Sequence, residues 1–156
     1  MRGLALGLTL MLASGGAAMA AETLAVCGAV SGRAYYVGKG LVPDDEAGWT
    51  DDRIGNGKIT LTRDAKGELD VLFADSTGAI SSSRAEGAVV FPGRMASDDA
   101  AVIVAYPGAS LEIYHFVRDR AGKHRVILVQ SKGGTIPITK GSVMVGECSS
   151  LDLPSS

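Results

Sequence analysis

Residues 58–74 read KITLTRDAKGELDVLFA, two segments rich in apolar residues on either side of an Asp-x-x-Gly turn. Asp64 suits the first position of a type I turn, and Gly67 suits the left-handed conformation that follows it. This turn fixes the register of a hairpin in which apolar side chains share one face as two cross-strand pairs, Ile59 with Phe73 and Leu61 with Val71. The stretch therefore predicts an antiparallel hairpin with one buried face.

The same turn pattern recurs at 75–78 and at 119–122. The turn at 119–122 joins two longer apolar segments and predicts two inward-facing pairs, Tyr114 with Leu128 and Phe116 with Val126. The opposite side of this hairpin, here named the outer face, is also rich in apolar residues: Ile113, His115, Val117, Ile127 and Val129. A hairpin that is apolar on both sides needs two covers. The outer face is therefore expected to be covered by 38–57, by 151–154 or by a partner.

From residue 58 onward, segments rich in Val, Ile, Leu, Thr and Tyr are separated by Gly-containing turns about every ten residues. No segment has a sustained helical period. About eight strands are expected, lying within 33–37, 58–63, 68–74, 79–83, 88–92, 100–106, 111–118 with 123–131, and 142–148. The sequence thus predicts an all-β fold, a single small antiparallel meander that forms either a barrel or a sandwich. The β-domain is expected to span 21–148, with a C-terminal tail at 149–156.

The first twenty residues have the pattern of a secretory signal peptide. Arg2 provides a positive charge, 4–12 form an apolar stretch, and small residues precede an expected cleavage after Ala20. We therefore expect a periplasmic or secreted protein. No later stretch approaches the roughly eighteen apolar residues of a membrane-spanning helix, so no membrane span is expected.

The chain has two cysteines, Cys27 and Cys148. In an oxidising compartment the simplest expectation is a disulfide that joins the first strand to the last. The chain-entropy model gives such a long loop a stabilisation of about 4 to 5 kcal/mol. Two alternatives are a pair of free thiols and acylation of Cys27, because 24–27 resemble a lipobox in which Val26 replaces the usual small residue.

The longest segment without a strand pattern is 38–57, which reads GKGLVPDDEAGWTDDRIGNG and contains five acids and the only Trp. Pro43 and the acids after it suit the first turn of a short helix. Trp49 is expected to fold over one end of the barrel. The candidate binding residues of this acidic segment are Asp44, Asp45, Trp49, Asp51 and Asp52.

Several chemistries do not fit the sequence. The net charge of −2 provides no basic field for nucleic acid. An EF-hand counted from Asp52 has Ile54 in the third place and Arg63 in the twelfth. A looser calcium site built from Asp44, Asp45, Asp51 and Asp52 is an alternative to a solvated acidic loop. The predicted register puts His115 and His124 on opposite faces, so they cannot share a metal. Motifs of nucleophilic catalysis and of phosphate-binding loops are missing, and we expect no metal, cofactor or catalytic residue.

Three functional hypotheses remain. The first is an exported, non-enzymatic domain that binds a protein or envelope component through the outer face and the acidic segment, with a homodimer as one form. The second is a carrier of a small apolar molecule inside the barrel, under the segment that contains Trp49. The third is a hydrolase with an unrecognised site. A cavity of a few hundred Å³ lined by Ser81, Ser83 and Tyr side chains would favour the carrier.

Overall fold

The computed structural model describes residues 21–74 and 77–154. Within them lie a 3₁₀ helix, Asp44–Glu46, and ten strands: β1 Glu22–Gly40, β2 Gly48–Ile54, β3 Lys58–Arg63, β4 Leu69–Ala74, β5 Ile80–Ser82, β6 Val89–Met95, β7 Asp99–Tyr106, β8 Ser110–Arg118, β9 His124–Lys132 and β10 Ile138–Leu151. The expected signal peptide, 1–20, and Asp75 of the second Asp-x-x-Gly turn lie outside the described residues. No α-helix occurs in the described part, which confirms the all-β class.

The strands form one antiparallel sheet in the order β5-β4-β3-β1-β10-β9-β8-β7-β6, with β2 paired to β1 beside this path. The sheet curls around a single core, and β4 and β6 from its two halves come into contact. The turn between the edge strands β5 and β6 is closed by a 2.9 Å hydrogen bond from the Ala88 amide to the Ser83 carbonyl. The expectation of about eight strands in a barrel or sandwich is corrected to a ten-stranded sheet that curls without closing.

The registers predicted from the turns are confirmed. Ile59 pairs with Phe73 and Leu61 with Val71 across β3 and β4, and the two inward pairs of the 111–131 hairpin also form as predicted. In the first turn, the Asp64 carboxylate accepts backbone hydrogen bonds of 2.8 Å from Lys66 and Glu68. Gly67 has a φ of 83°, the left-handed conformation on which the prediction rested.

The predicted disulfide forms between Cys27 on β1 and Cys148 on β10. The two cysteines are direct cross-strand partners, so the bond joins the first strand to the last as expected. It lies near the middle of the strand order, where β1 connects the β3–β5 half of the sheet to the β10–β6 half. The disulfide therefore links the two halves of the domain.

Strand β1 is longer than the predicted strand 33–37. The prediction was too short because glycines interrupt the apolar pattern before residue 33. Gly32 shows why a glycine is compatible with a strand here. A Cβ atom at this position would lie 2.0 Å from the Val143 carbonyl oxygen of β10. Glycine is therefore needed for the close approach of two paired strands rather than for a turn.

The acidic segment 38–57 is not the long irregular loop that the sequence predicted. The 3₁₀ helix follows Pro43, as expected for a short helix there, but β2 comes directly after it. One edge of β1 pairs with β3 only over residues 22–27. Strand β2 pairs with the rest of that edge, from Val30 to Tyr36, and so provides partners for backbone groups that would otherwise be free.

The last strand is longer than the predicted strand 142–148 at both of its ends. Strand β10 continues to Leu151. Leu151 and Leu153 are both buried in the core cluster. Their side chains therefore fill part of the apolar interior.

Candidate functional site

Neither of the two segments that were expected to cover the outer face of β8 and β9 packs against it. Leu151 and Leu153 pack into the core instead, and β2 pairs with β1. The outer face continues onto neighbouring strands as a row of direct cross-strand partners: Phe91, Ile103, Ile113, Val129 and Val143. The ends of this row are half exposed, with Phe91 at 49% and Val143 at 50%.

The remaining members of the outer face, His115, Val117 and Ile127, are half-buried. The His115 Nε2 atom lies 2.8 Å from the Asp99 carboxylate, which also accepts hydrogen bonds from Arg94. The hydrogen bond from Arg94 lowers the pKa of Asp99, and the contact with His115 adds to this effect. The outer face is thus an apolar surface with one polar cluster at its edge.

The acidic segment does not bring its five candidate residues together. Asp44 and Asp45 are exposed on the 3₁₀ helix, and the Asp51 carboxylate lies 3.8 Å from Arg33. The Trp49 side chain is 64% exposed and packs edge-on against Tyr35. The expectation that Trp49 covers one end of the barrel is therefore wrong, because its neighbour on β1 holds the ring on the outside of the sheet.

Asp52 has a structural partner. Its carboxylate accepts a hydrogen bond from the Lys140 ammonium, which also bonds the Tyr36 hydroxyl at 3.2 Å. Burial opposes the charged form of Lys140, but the hydrogen bonds to Asp52 and Tyr36 outweigh it and raise the pKa of Lys140. Asp52 is therefore held in an ion pair that ties β2 to β10.

The inner side of the sheet contains a cavity of about 370 Å³. Its apolar wall includes Ile54, Phe73, Leu128 and Ile136, and its polar wall includes Ser81, Glu86, Tyr106, Glu112, Tyr114, Gln130 and Lys132. The cavity has the size, the Ser81 and the tyrosines expected for the carrier hypothesis, whereas Ser83 is buried behind Tyr106 and does not line it. Trp49 is not part of its wall, and the acidic segment contributes Ile54 instead.

Glu112 is the central polar residue of the cavity. It is 7% exposed because the alternation of β8 points it inward with Tyr114 and Phe116. Its two carboxylate oxygens accept different hydrogen bonds, one of 2.6 Å from the Tyr114 hydroxyl and one of 2.6 Å from the Gln130 amide. Gln130 is the direct cross-strand partner of Glu112, so the hairpin register places these groups together.

The two tyrosines of the cavity remain protonated hydrogen-bond donors at neutral pH. Burial raises the pKa of Tyr114 well above its ordinary value, and the negative charge of Glu112 raises it further. Burial also raises the pKa of Tyr106, against a smaller opposite effect of its hydrogen bond to Ser83. The Tyr106 hydroxyl donates to Ser83 Oγ at 3.1 Å, and Ser83 in turn donates to the Val71 carbonyl.

Glu112 takes part in none of the salt bridges among residues 21–74 and 77–154. The other charged groups on the cavity wall are Glu86, which is exposed, and Lys132, which is half-buried. The buried carboxylate is therefore stabilised by two neutral donors rather than by a cation. A buried carboxylate without a countercharge is energetically unfavourable, and it is the feature of this cavity that most needs a functional explanation.

Sequence reasoning missed Glu112 and Gln130 as site residues, although a signal was present. The register that pairs Tyr114 with Leu128 also pairs Glu112 with Gln130 and points both inward. Extending the inward row of β8 by two residues therefore identifies an acid inside the fold.

Within the described residues, no group of three or more His, Cys, Asp or Glu side chains is placed to hold a metal ion together. The helices of this part of the chain include none that is long and apolar enough to cross a membrane. Comparisons of the chain with protein-family models, with curated proteins and with solved structures find no match.

Proposed function

We propose that this protein binds a small molecule, with an apolar body and one polar group, in the cavity on the inner side of its sheet. The observation that supports this proposal is a cavity of about 370 Å³ in which Glu112 is buried among apolar and aromatic side chains. Ligand pockets usually combine an apolar lining with a few placed polar groups, and this volume lies within their usual range. The proposed role is binding or carrying rather than catalysis.

The proposed location is the periplasm or the exterior of the cell. Disulfides such as Cys27–Cys148 persist in oxidising compartments, which supports this location. The signal peptide predicted in 1–20 remains a prediction. The intact mass of the purified protein, measured with and without reductant, tests both the cleavage after Ala20 and the disulfide.

Cavity binding can be tested with the uncharged fluorescent probe N-phenyl-1-naphthylamine. We expect its fluorescence to rise on binding to the wild-type protein. The variant Ser81→Phe places a ring in the cavity and should weaken binding at least about tenfold, because the ligand would lose its space. The matched control Ser131→Phe adds the same ring at an exposed position of β9 and should not change binding. No binding to the wild type, or equal binding to both variants, would contradict the proposal.

A second candidate function is supported by the row from Phe91 to Val143. This row crosses five adjacent strands, and no segment expected to cover it does so. We propose that the outer face binds a protein partner, and that a second copy of this chain is the partner to test first. Two copies would present the same apolar row to each other, as a two-fold interface requires.

A further inference from the structure

We infer that the ligand of the cavity carries a cationic amine, whose ammonium group binds the Glu112 carboxylate. This inference rests on the proposed cavity function and adds the chemical class of the ligand. It depends on three features of the wall: the two neutral hydrogen-bond donors of Glu112, the surrounding aromatic rings and the balance of charges.

The Glu112 carboxylate can accept more hydrogen bonds than it receives from the protein. An ionised carboxylate offers about four lone-pair sites, and Tyr114 and Gln130 each donate one hydrogen bond to it. Both donors are neutral, so the negative charge of Glu112 is not balanced by either. An ammonium group would supply both the missing donors and the missing charge, in a setting where charge-assisted hydrogen bonds are strong.

Aromatic rings on the cavity wall add a second attraction for a cation. Phe73, Tyr106 and Tyr114 all line the cavity with Glu112. The negative faces of aromatic rings attract ammonium groups, more strongly when water is excluded. A carboxylate combined with aromatic rings therefore favours an amine over a neutral alcohol of the same size.

The charges on the wall disfavour an anionic ligand. Glu86 and Glu112 contribute two negative charges to the wall and Lys132 contributes one positive charge, so the sum is −1. Glu112 is buried, whereas Lys132 is half-buried. An anion in the cavity would therefore be repelled by Glu112, the least solvated charge on the wall.

The experiment compares three probes with the same eight-carbon chain: octylamine, octanol and octanoate. Each is used at pH 7 to displace N-phenyl-1-naphthylamine from the wild-type protein, so only the polar end of the probe changes. We expect octylamine to displace the dye at a concentration about tenfold lower than octanol, which corresponds to one charge-assisted hydrogen bond. Octanoate should be the weakest of the three.

The variant Glu112→Gln keeps the shape of the side chain and removes its charge. We expect it to abolish the preference for octylamine over octanol, measured as the ratio of their displacing concentrations in the same variant. The control Glu147→Gln removes an exposed carboxylate on β10, which bonds Arg125 outside the cavity, and should keep the preference. If Glu112→Gln does not fold, the ratio measured on the wild-type protein still decides the question.

The outcomes separate the two proposals. If octanol displaces the dye as well as octylamine does, or if Glu112→Gln keeps the preference, the assignment of an amine ligand is wrong while binding in the cavity stands. If the dye does not bind the folded wild-type protein, the proposed function is contradicted, and the amine assignment that rests on it is wrong as well.

Discussion

The two faces of the β8–β9 hairpin have the same alternating sequence pattern but different surroundings. Phe116 and Val126 on the inner face are fully buried, whereas the outer face is half-buried to exposed across its members. A single curled sheet has only one interior, so one apolar face becomes core and the other stays on the surface. Two polar residues of the hairpin, Glu112 and Gln130, lie inside, on the cavity wall. Apolar side chains outside and a carboxylate inside are therefore the two features of this hairpin that point to binding.

The largest expected effect is on the inner face. Phe116→Ala should lower the free energy of unfolding by about 3 to 5 kcal/mol, because it leaves a cavity in the packed core. Val117→Ala, one residue away on the outer face, should lower it by less than about 1 kcal/mol. Urea unfolding followed by circular dichroism measures both changes. Equal losses would mean that both faces are packed alike.

A smaller effect is expected from the hydrogen bond to Glu112. Tyr114→Phe should lower the free energy of unfolding by about 1.5 to 3 kcal/mol, because it removes a donor from a buried charged group. Tyr106→Phe removes a hydrogen bond between two neutral groups and should lower it by about 1 kcal/mol. The same unfolding measurement compares the two variants. A larger loss for Tyr106→Phe would show that Glu112 does not depend on its donors.

The outer face is tested by Val117→Asp, which should change stability by less than about 1 kcal/mol. If a second copy binds there, the charge should weaken association about tenfold or more, because it would be desolvated in an apolar interface. Sedimentation velocity measures the dissociation constant, with Lys123→Asp in the adjoining turn as the control. Unfolding of Val117→Asp would show that this face is ordinary core. A wild-type protein that is monomeric would show that a second copy does not bind this face.

The smallest effect concerns the polar cluster at the edge of the outer face. The pKa of Asp99 in the folded protein is below its ordinary value of 3.8, so the ionised form stabilises the fold. This contribution is fully present above the unfolded pKa and is lost as the pH falls through the folded pKa. Asp99→Asn should therefore lower stability at pH 6 by less than about 1 kcal/mol. The difference should shrink below pH 3.8, and unfolding curves at both pH values measure it.

The parts of the fold that follow from local chemistry are the parts that the sequence predicts well. The turn at Asp64 and Gly67 fixes its own hairpin, and two cysteines leave one possible pair. Strand β2 was not predicted, because its sequence GWTDDRI has no alternating apolar pattern and it forms by pairing with the free edge of the preceding strand β1. The need for glycine at position 32 likewise becomes clear only from the position of β10, which pairs with β1 there.

The candidate site was harder to predict than the fold. The outer face follows from alternation alone, and the structure leaves it uncovered by either expected segment. The acidic residues were predicted to bind a ligand because they cluster in sequence, but the structure separates them and pairs Asp52 with Lys140. A single acid in an apolar strand matches no site motif, so Glu112 was not predicted, although the register already fixed its inward position. A cavity depends on how the sheet curls, which no local pattern contains.

The disulfide has a consequence for limited proteolysis. Cys27 and Cys148 are 121 positions apart, so most exposed turns lie between them in sequence. A protease that cuts once within this interval, for example in the turn at 119–122, produces two fragments that remain covalently attached. The nicked protein would have the mobility of the whole chain on a non-reducing gel and would separate into two bands only after reduction. Digestion of this domain must therefore be followed under both conditions, because a non-reducing gel alone would make a cleaved chain look resistant.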